Sequence, residues 1–374
     1  MGIQGFTKVF PPKKEIKYAN MKNKKIIIDA SSELYRAALG MSASVSLTDR
    51  DGNPTSHINT ILLGVILKLK AAGAQQYWVF DYDQKRKTGE TFHIQMKDFE
   101  LAKRKEKKQK SEEKLKELRK KRESLEALSK KSDDQKSDQE LFSSSEEETQ
   151  QQLCITDELR NCVSEIDKHE KRSFCLKKFY FDDTIFMLNM LDIPWIMCPP
   201  GFEAEQLCAM ATRTSSIAGV LMDYVLTPDA DAIIFGATSV IKRDIRKKKF
   251  YEYNTKELLN EHDLTQDDLI KISLILGCDY AKKTPRVGIK TVMIKYPSVE
   301  LSPEQKIAES IFKREITEEE TKMIELVNAN KDPFTDEEKY YELLSWLQLK
   351  KCFDKARIDK QFKKIDLFCS NNKK

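Results

Sequence analysis

KKIIIDASSELY, residues 24–35, decides the fold. Its consecutive isoleucines have the unbroken β-branched character of a strand buried on both faces. The run ends on Asp29, and the residues after it take up helical spacing. YWVFD at 77–81 ends in the same way on Asp81, and DYVLTP at 223–228 runs into Asp229 and Asp231. A helix-like apolar run closes in LGCDY with Asp279, and FEAEQLCAMA at 202–211 adds Glu203 and Glu205. These seven acids stand where an α/β sheet presents its ligand crevice, outside the carboxyl ends of its strands. Each one alone reads as a helix cap. Capping does not explain the doubled D-x-D and E-x-E spacings, and a cluster of this charge repels itself unless cations hold it.

The 374 residues, 40% hydrophobic, suffice for one large core or two modest ones. No run of about 18 apolar residues occurs, and MGIQGFTKVFPPKK lacks the apolar centre of a signal peptide, so a soluble intracellular chain is expected. Met-Gly opens the chain, but Phe6 stands where a myristoylation signal requires Ser or Thr. The eight cysteines form no C-x-x-C pair, which fits incidental thiols in a reducing compartment.

A net charge of +5 conceals a block arrangement. Residues 97–131 are strongly basic and 132–150 acidic and serine-rich. KRDIRKKK at 242–249 follows the D-x-D, and Lys282, Lys283, Arg286 and Lys290 surround a glycine turn. Basic runs commonly form solvated faces; a polyanion bridging them and the acid cluster would explain why they flank it.

Along the chain, strand 24–29 leads into a helix at 31–39. An apolar helix at 56–73 is expected to be capped by Ser56 and stopped by Gly73, with strand 77–81 next. Residues 97 to about 150 hold too few apolar side chains for a core and read as an excursion, helical in part and mobile in its acidic half. The rhythm resumes with helix 176–191, strand PWIM, a helix after Glu203, and strands at 223–228, 232–236 and 250–254. A helix, a turn at 284–288 and a second helix follow, and 297–374 reads as helical. Strands alternating with helices imply a mainly parallel sheet covered by helices on both faces.

The four histidines have no zinc spacing, whereas so many oxygen ligands suit Mg²⁺ or Mn²⁺. On an extended segment Asp229 and Asp231 would point the same way. Glu203 and Glu205 cannot share a face inside a helix, so one must lie in the turn before it, where Pro199, Pro200 and Gly201 stand. Two cations about 4 Å apart activate water and stabilise the leaving oxygen in phosphoryl displacement. These residues describe a metal-dependent nuclease.

MGIQGF, IIIDASSELY, YWVFD, FEAEQLCAMA, LTPDADAIIFG, and LGCDY with VGIK resemble, in order and spacing, the motifs of the flap endonuclease / XPG family of structure-specific 5′ nucleases. The resemblance spans 1–35, 77–104 and about 176–296. It implies a PIN-like α/β fold with a helical arch insertion and a helix-two-turn-helix DNA-binding element. The domains would run 1–96 and 176–300 for the two parts of the nuclease, 97–175 for the arch and insertion, and 301–374 for a helical extension with a basic tail. It also implies cleavage of 5′ flaps near their junction, 5′–3′ exonuclease action, and two Mg²⁺ ions that Mn²⁺ can replace. Further implications are a role in DNA replication and repair, branched DNA as partner, a monomer, and a nuclear location. For a version encoded by a large DNA virus, that location becomes the host nucleus or a cytoplasmic replication site.

Residue by residue, the resemblance assigns Asp29, Asp81, Glu203 and Glu205 to one part of the metal cluster and Asp229, Asp231 and Asp279 to the rest, with their division between the ions left open. Lys97 and Arg104, two helical turns apart, would meet the scissile phosphate, with Lys87 competing for the first role. Tyr35 would stack beside the cut, or serve equally as a core aromatic. Gly2, Gly288 and Lys290 would contact DNA, so an N-terminal tag should reduce activity. The chain departs from the pattern at Arg286, where a glycine is usual, which puts a monovalent-ion site there in doubt. It departs again at D-Y-D-Q-K and the inserted 82–96. QFKKIDLF at 361–368 has Lys364 where a sliding-clamp box needs an apolar anchor, so clamp binding is not expected. Beside the active nuclease stand a catalytically weak nucleic-acid-binding scaffold of the same fold, and an altered substrate choice such as a PIN-type ribonuclease.

Overall fold

Among the described residues, eight strands form a single sheet in a computed structural model of the chain, in the order β1-β7-β6-β5-β2-β3-β4-β8. They are β1 (Lys14–Lys17), β2 (Lys25–Asp29), β3 (Gln75–Phe80), β4 (Trp195–Met197), β5 (Tyr224–Leu226), β6 (Ser239–Asp244), β7 (Lys249–Asn254) and β8 (Leu326–Val327). The structure describes residues 3–12, 14–39, 48–81, 92–137, 146–199, 202–215, 217, 219–244, 247–322, 324, 326–327, 336–356, 358–360 and 362, and of these only the backbone at 92–104, 130–137, 146–152, 326–327 and 336–337.

Two compact units divide the chain: Met1–Met41 with Ser46–Lys97 and Leu176–Lys374, and Ser42–Val45 with Asp98–Cys175. The first contains the sheet. Its middle strands β6, β5, β2, β3 and β4 pair in parallel, and β7, β1 and β8 add antiparallel edges. Helices cover both faces, as the strand–helix alternation requires. Ile26, Ile27 and Ile28 are completely buried, which explains the unbroken apolar run of β2. Each contributes about 1.5–3 kcal/mol of transfer free energy.

From β2 the chain moves outward to β3 and β4 on one side, then returns to β5 and β6 on the other. The order therefore reverses between β2 and β5, and the carboxyl ends of those strands open the crevice at a topological switch point. Asp29 ends β2, and Asp229 follows β5.

Several expected elements differ in detail. AIIFG is not a strand: Asp231–Ile234 forms a helical turn, and the neighbouring strand is β6, SVIKRD, which the basic character of its second half concealed. Four-residue β1 lies between basic residues and was equally hidden, as was β8 within the segment expected to be helical. The helix expected from Ser56 has Thr55 at its N-cap with no side-chain capping bond, and its middle, Asn59–Ile66, widens into a π-helix. That widening presents the Gly64 carbonyl to the Arg243 guanidinium at 3.0 Å. Gly73 does end the element, at φ +74°.

Part of the basic run at 242–249 is structural. Arg243 is buried on Glu33 at 3.1 Å, beside Arg36, which grips the same carboxylate. Lys249 pairs with Glu15. Buried Lys351 joins Asp49 and Asp183, each at 2.9 Å, and Asp183 meets His57 at 3.1 Å, which fastens the C-terminal helices to Lys178–Met190.

The second unit is built from the long helix Phe92–Ser137, which begins just before it, and Glu146–Ser173. They run antiparallel: Cys162 lies against Leu118, and Lys121 pairs with Glu158 at 3.1 Å. Leu115, Cys162 and Ile166 form a thin buried seam, so a stretch too polar for a globular core is held as a two-helix hairpin. Serines 143–145 and the tail 363–374 lie outside the described residues.

Candidate functional site

Asp29, the last residue of β2, is completely buried. Its Oδ2 accepts from Thr227 Oγ1 at 3.1 Å and its Oδ1 from the Ser32 amide at 3.1 Å. Burial and the Asp81 charge push its carboxyl up to about 7. Asp81, one residue past β3, accepts from the Ala204 amide at 2.9 Å. That bond ties the end of β3 to the first turn of Ala204–Ala211, a position where amides are free to bind a carboxylate.

Glu203 is the extended N-cap of this helix and Glu205 lies in its first turn, the division that helical geometry demands. Ser32 Oγ donates to Glu205 at 3.4 Å. Burial, then the charges of Asp29, Asp81, Glu203 and Asp229, hold Glu205 well above the carboxylate range. The Tyr280 phenol lies close to Glu203 and is likewise held high, chiefly by burial.

Asp229 and Asp231 do not sit on an extended segment. Asp229 lies in the loop, its amide donating to Thr227 Oγ1 at 3.2 Å, and Asp231 opens the helical turn Asp231–Ile234. Ala230 between them is already right-handed helical, so the D-x-D pair is brought together by a tight helix start and not by strand alternation. Asp231 is raised well above its ordinary value by burial and by Asp229, Asp279 and Glu203. Its Oδ1 is buried and meets no hydrogen-bond donor among the described residues.

The seven acids are thus linked in a chain of interacting charges: Asp29, Asp81, Glu203 and Asp229 act on Glu205, and Asp229, Asp279 and Glu203 act on Asp231. As the side chains stand, no three carboxylate, imidazole or thiol groups among the described residues close around one point as the ligands of an ion do. The donor set nevertheless fits hard divalent cations. It is all oxygen, it carries an orphaned buried carboxylate oxygen, and its members drive one another's protonation upward, which a cation would reverse.

Tyr35 is half-buried in Ala30–Leu39, the helix that starts at Asp29. Gly288 and Lys290 are exposed at the turn after Asp279, together with Arg286, which takes φ +59°. Lys97 and Arg104 fall within the helix Phe92–Ser137, but their side chains lie outside the described residues, as do Gly2, Lys87 and 82–91. Thr227, Ser32 and Tyr280 were missed from sequence. A threonine two residues before the D-x-D was the available signal for the first; the other two carry none.

The XPG N-terminal domain model matches residues 1–111 and the XPG I-region model residues 192–279, together more than half of the chain. Flap endonuclease 1 of Glycine max is 27% identical over 318 residues, covering 81% of this chain and 69% of that protein. Flap endonuclease 1 of Nematostella vectensis is 26% identical over 300 residues, 78% of this chain and 65% of its own length. This chain spans less than half of the Plasmodium knowlesi relative, 47%. Among solved structures, flap endonuclease-1 from Methanococcus jannaschii aligns over 99% of this chain and all of its own, with TM-score 0.58 and 18% identity. The catalytic core of Rad2 in complex with DNA substrate aligns over 97% of this chain and 100% of its own, with TM-score 0.54 and 16% identity. These two likenesses establish the fold.

Proposed function

The chain belongs to the flap endonuclease / XPG family, and on that premise we propose that it is a divalent-cation-dependent, structure-specific DNA endonuclease. It cuts 5′ flaps near their junction with duplex, trims 5′ ends exonucleolytically, and acts in DNA replication and repair in the nucleus. The observation that carries this reading is the convergence of seven carboxylates at the switch point of the sheet, one of them with a buried oxygen that no donor satisfies.

Asp29, Asp81, Glu203, Glu205, Asp229, Asp231 and Asp279 are the residues that would hold Mg²⁺ or Mn²⁺. Bound there, divalent cations supply a lowered pKa for the attacking water and neutralise charge on the leaving oxygen. The protein's own part is positioning. Thr227 and the Ser32 amide orient Asp29, and the Ala204 amide orients Asp81. Lys97 and Arg104 steady the scissile phosphate, and Tyr35 stacks on the neighbouring nucleotide. The exposed cations Lys282, Lys283 and Lys290 beside Gly288 hold duplex backbone.

The test is cleavage of a 5′-labelled single-flap DNA by untagged protein, with Mg²⁺ and with EDTA, beside Asp229→Ala. A Mg²⁺-dependent product ending near the junction and absent in the variant supports the nuclease. Tight flap binding without a cut, under Mg²⁺ and Mn²⁺ alike, replaces it with the scaffold reading. Lys97→Ala and Arg104→Ala should slow the chemical step far more than they weaken binding; equal losses would make both ordinary phosphate contacts.

A further inference from the structure

Beside the Asp229/Asp231 half of the crevice stands a lysine that no part of the proposed reaction uses. Lys242 is on β6, and the Thr227 amide donates to Ile241 O at 3.4 Å, so Lys242 runs alongside the chain as it turns into Asp229. It shares its sheet face with fully buried Val240. Val240 is paired with Tyr253, whose ring lies over the lysine: Nζ is 5.1 Å from the ring centroid. Arg243, one residue on, points to the opposite face and is engaged with Glu33.

The carboxylates acting on Lys242 are Asp229 and Asp231, which oppose the downward pull of burial on its pKa. The other half of the cluster differs. The largest charges acting on Asp29 and Glu205 are those of further carboxylates, Asp229 among them for Glu205. The Asp229/Asp231 half therefore has a lysine beside it, supported by an aromatic face, whereas the largest charges acting on Asp29 and Glu205 are negative.

We propose that Lys242 is a positioning residue that makes the two halves of the cluster unequal toward divalent cations. Its ammonium weakens binding on the Asp229/Asp231 side and leaves the Asp29/Asp81/Glu205 side tight. The inference rests on the cation reading above and adds to it an order of filling. A unit charge on the same side of a partly buried site repels an incoming dication, so removing it should tighten that side by about tenfold.

The experiment is a Mn²⁺ titration of the full chain without DNA, following free Mn²⁺ by electron paramagnetic resonance, for wild type, Lys242→Met and Lys242→Arg. The expected result is two unequal classes of site in the wild type. In Lys242→Met the weaker class should tighten by about tenfold while the tighter class moves less than about twofold, with Lys242→Arg matching wild type. The rise in Tm at a fixed Mn²⁺ concentration should be larger for Lys242→Met. Lys242→Gln replaces the methionine variant if that one fails to fold. Equal classes in the wild type, or a Lys242→Met isotherm unchanged or shifted equally in both classes, overturns the proposal while the cation reading stands. Absence of Mn²⁺ binding by every protein overturns both.

Discussion

A β-carbon built on Gly5 would lie 2.4 Å from Cδ1 of Ile289. The N-terminal turn, with Gly5 at φ +74°, is seated on the turn that follows Asp279, and the Gln4 amide reinforces the contact by donating to Gly277 O at 3.1 Å. Two segments that the resemblance assigns to DNA contact are therefore one packed surface. Gly5→Ala should lose about 1–2 kcal/mol from the left-handed backbone alone, and more from displacing Ile289. Adding Ile289→Ala should recover the steric part and not the backbone part, as read by urea unfolding of the single and double variants.

Arg286 adopts φ +59° at the position where glycine is usual. Its side chain is exposed. Arg286→Gly should stabilise the protein by about 0.5–1 kcal/mol, the relief of left-handed strain less glycine's larger unfolded-state entropy. A lower Tm for this variant would mean that the arginine makes a compensating contact.

Asp29 binds its proton up to about 7 in the folded chain, against an ordinary value of 3.8. Between those values the native state holds a proton that the unfolded state has released. The associated stability is complete below about pH 4 and is lost as pH rises through about 7. Glu205 and Asp231, raised in the same direction, add to the effect. In EDTA the Tm should fall between pH 5 and pH 8, and saturating Mg²⁺ should abolish or reverse that fall, as followed by thermal scans in matched buffers.

Asp231 has a buried carboxylate oxygen without a donor among the described residues, under repulsion from Asp229 and Asp279. Asp231→Asn should raise the Tm in EDTA at pH 8, since it removes a charge that is expensive to bury. The same change should reduce the Mg²⁺-induced rise in Tm and slow flap cleavage by more than about a hundredfold, an increase of about 2.7 kcal/mol in the barrier. Cleavage at a tenth of the wild-type rate would count against two cations held by this cluster.

Alternation of apolar runs with helical spacing, and the habit of those runs to end on acids, were enough to read the α/β class and to mark the acids at the strand ends. These are local signals: β-branching, burial on both faces and side-chain periodicity are written in neighbouring residues. The E-x-E split across a helix start was legible for the same reason, because 3.6 residues per turn permits no other arrangement. The D-x-D geometry was not, since an extended loop and a helix start both accept Asp-Ala-Asp, and packing against the rest of the sheet chose between them.

Only the tertiary structure decided the remainder. It placed β5 and β6 on the far side of β2, which creates the switch point, and it sent adjacent Lys242 and Arg243 to opposite faces, one toward the acids and one into a buried ion pair. It seated Gln305, whose side-chain amide donates to Leu274 O at 2.9 Å and Lys282 O at 3.1 Å, beneath the turn that carries Gly288. Strand order, register and side-chain partners across a sheet depend on contacts between residues far apart in the chain. A residue's neighbours in sequence set its conformational preference; they do not set what it will face.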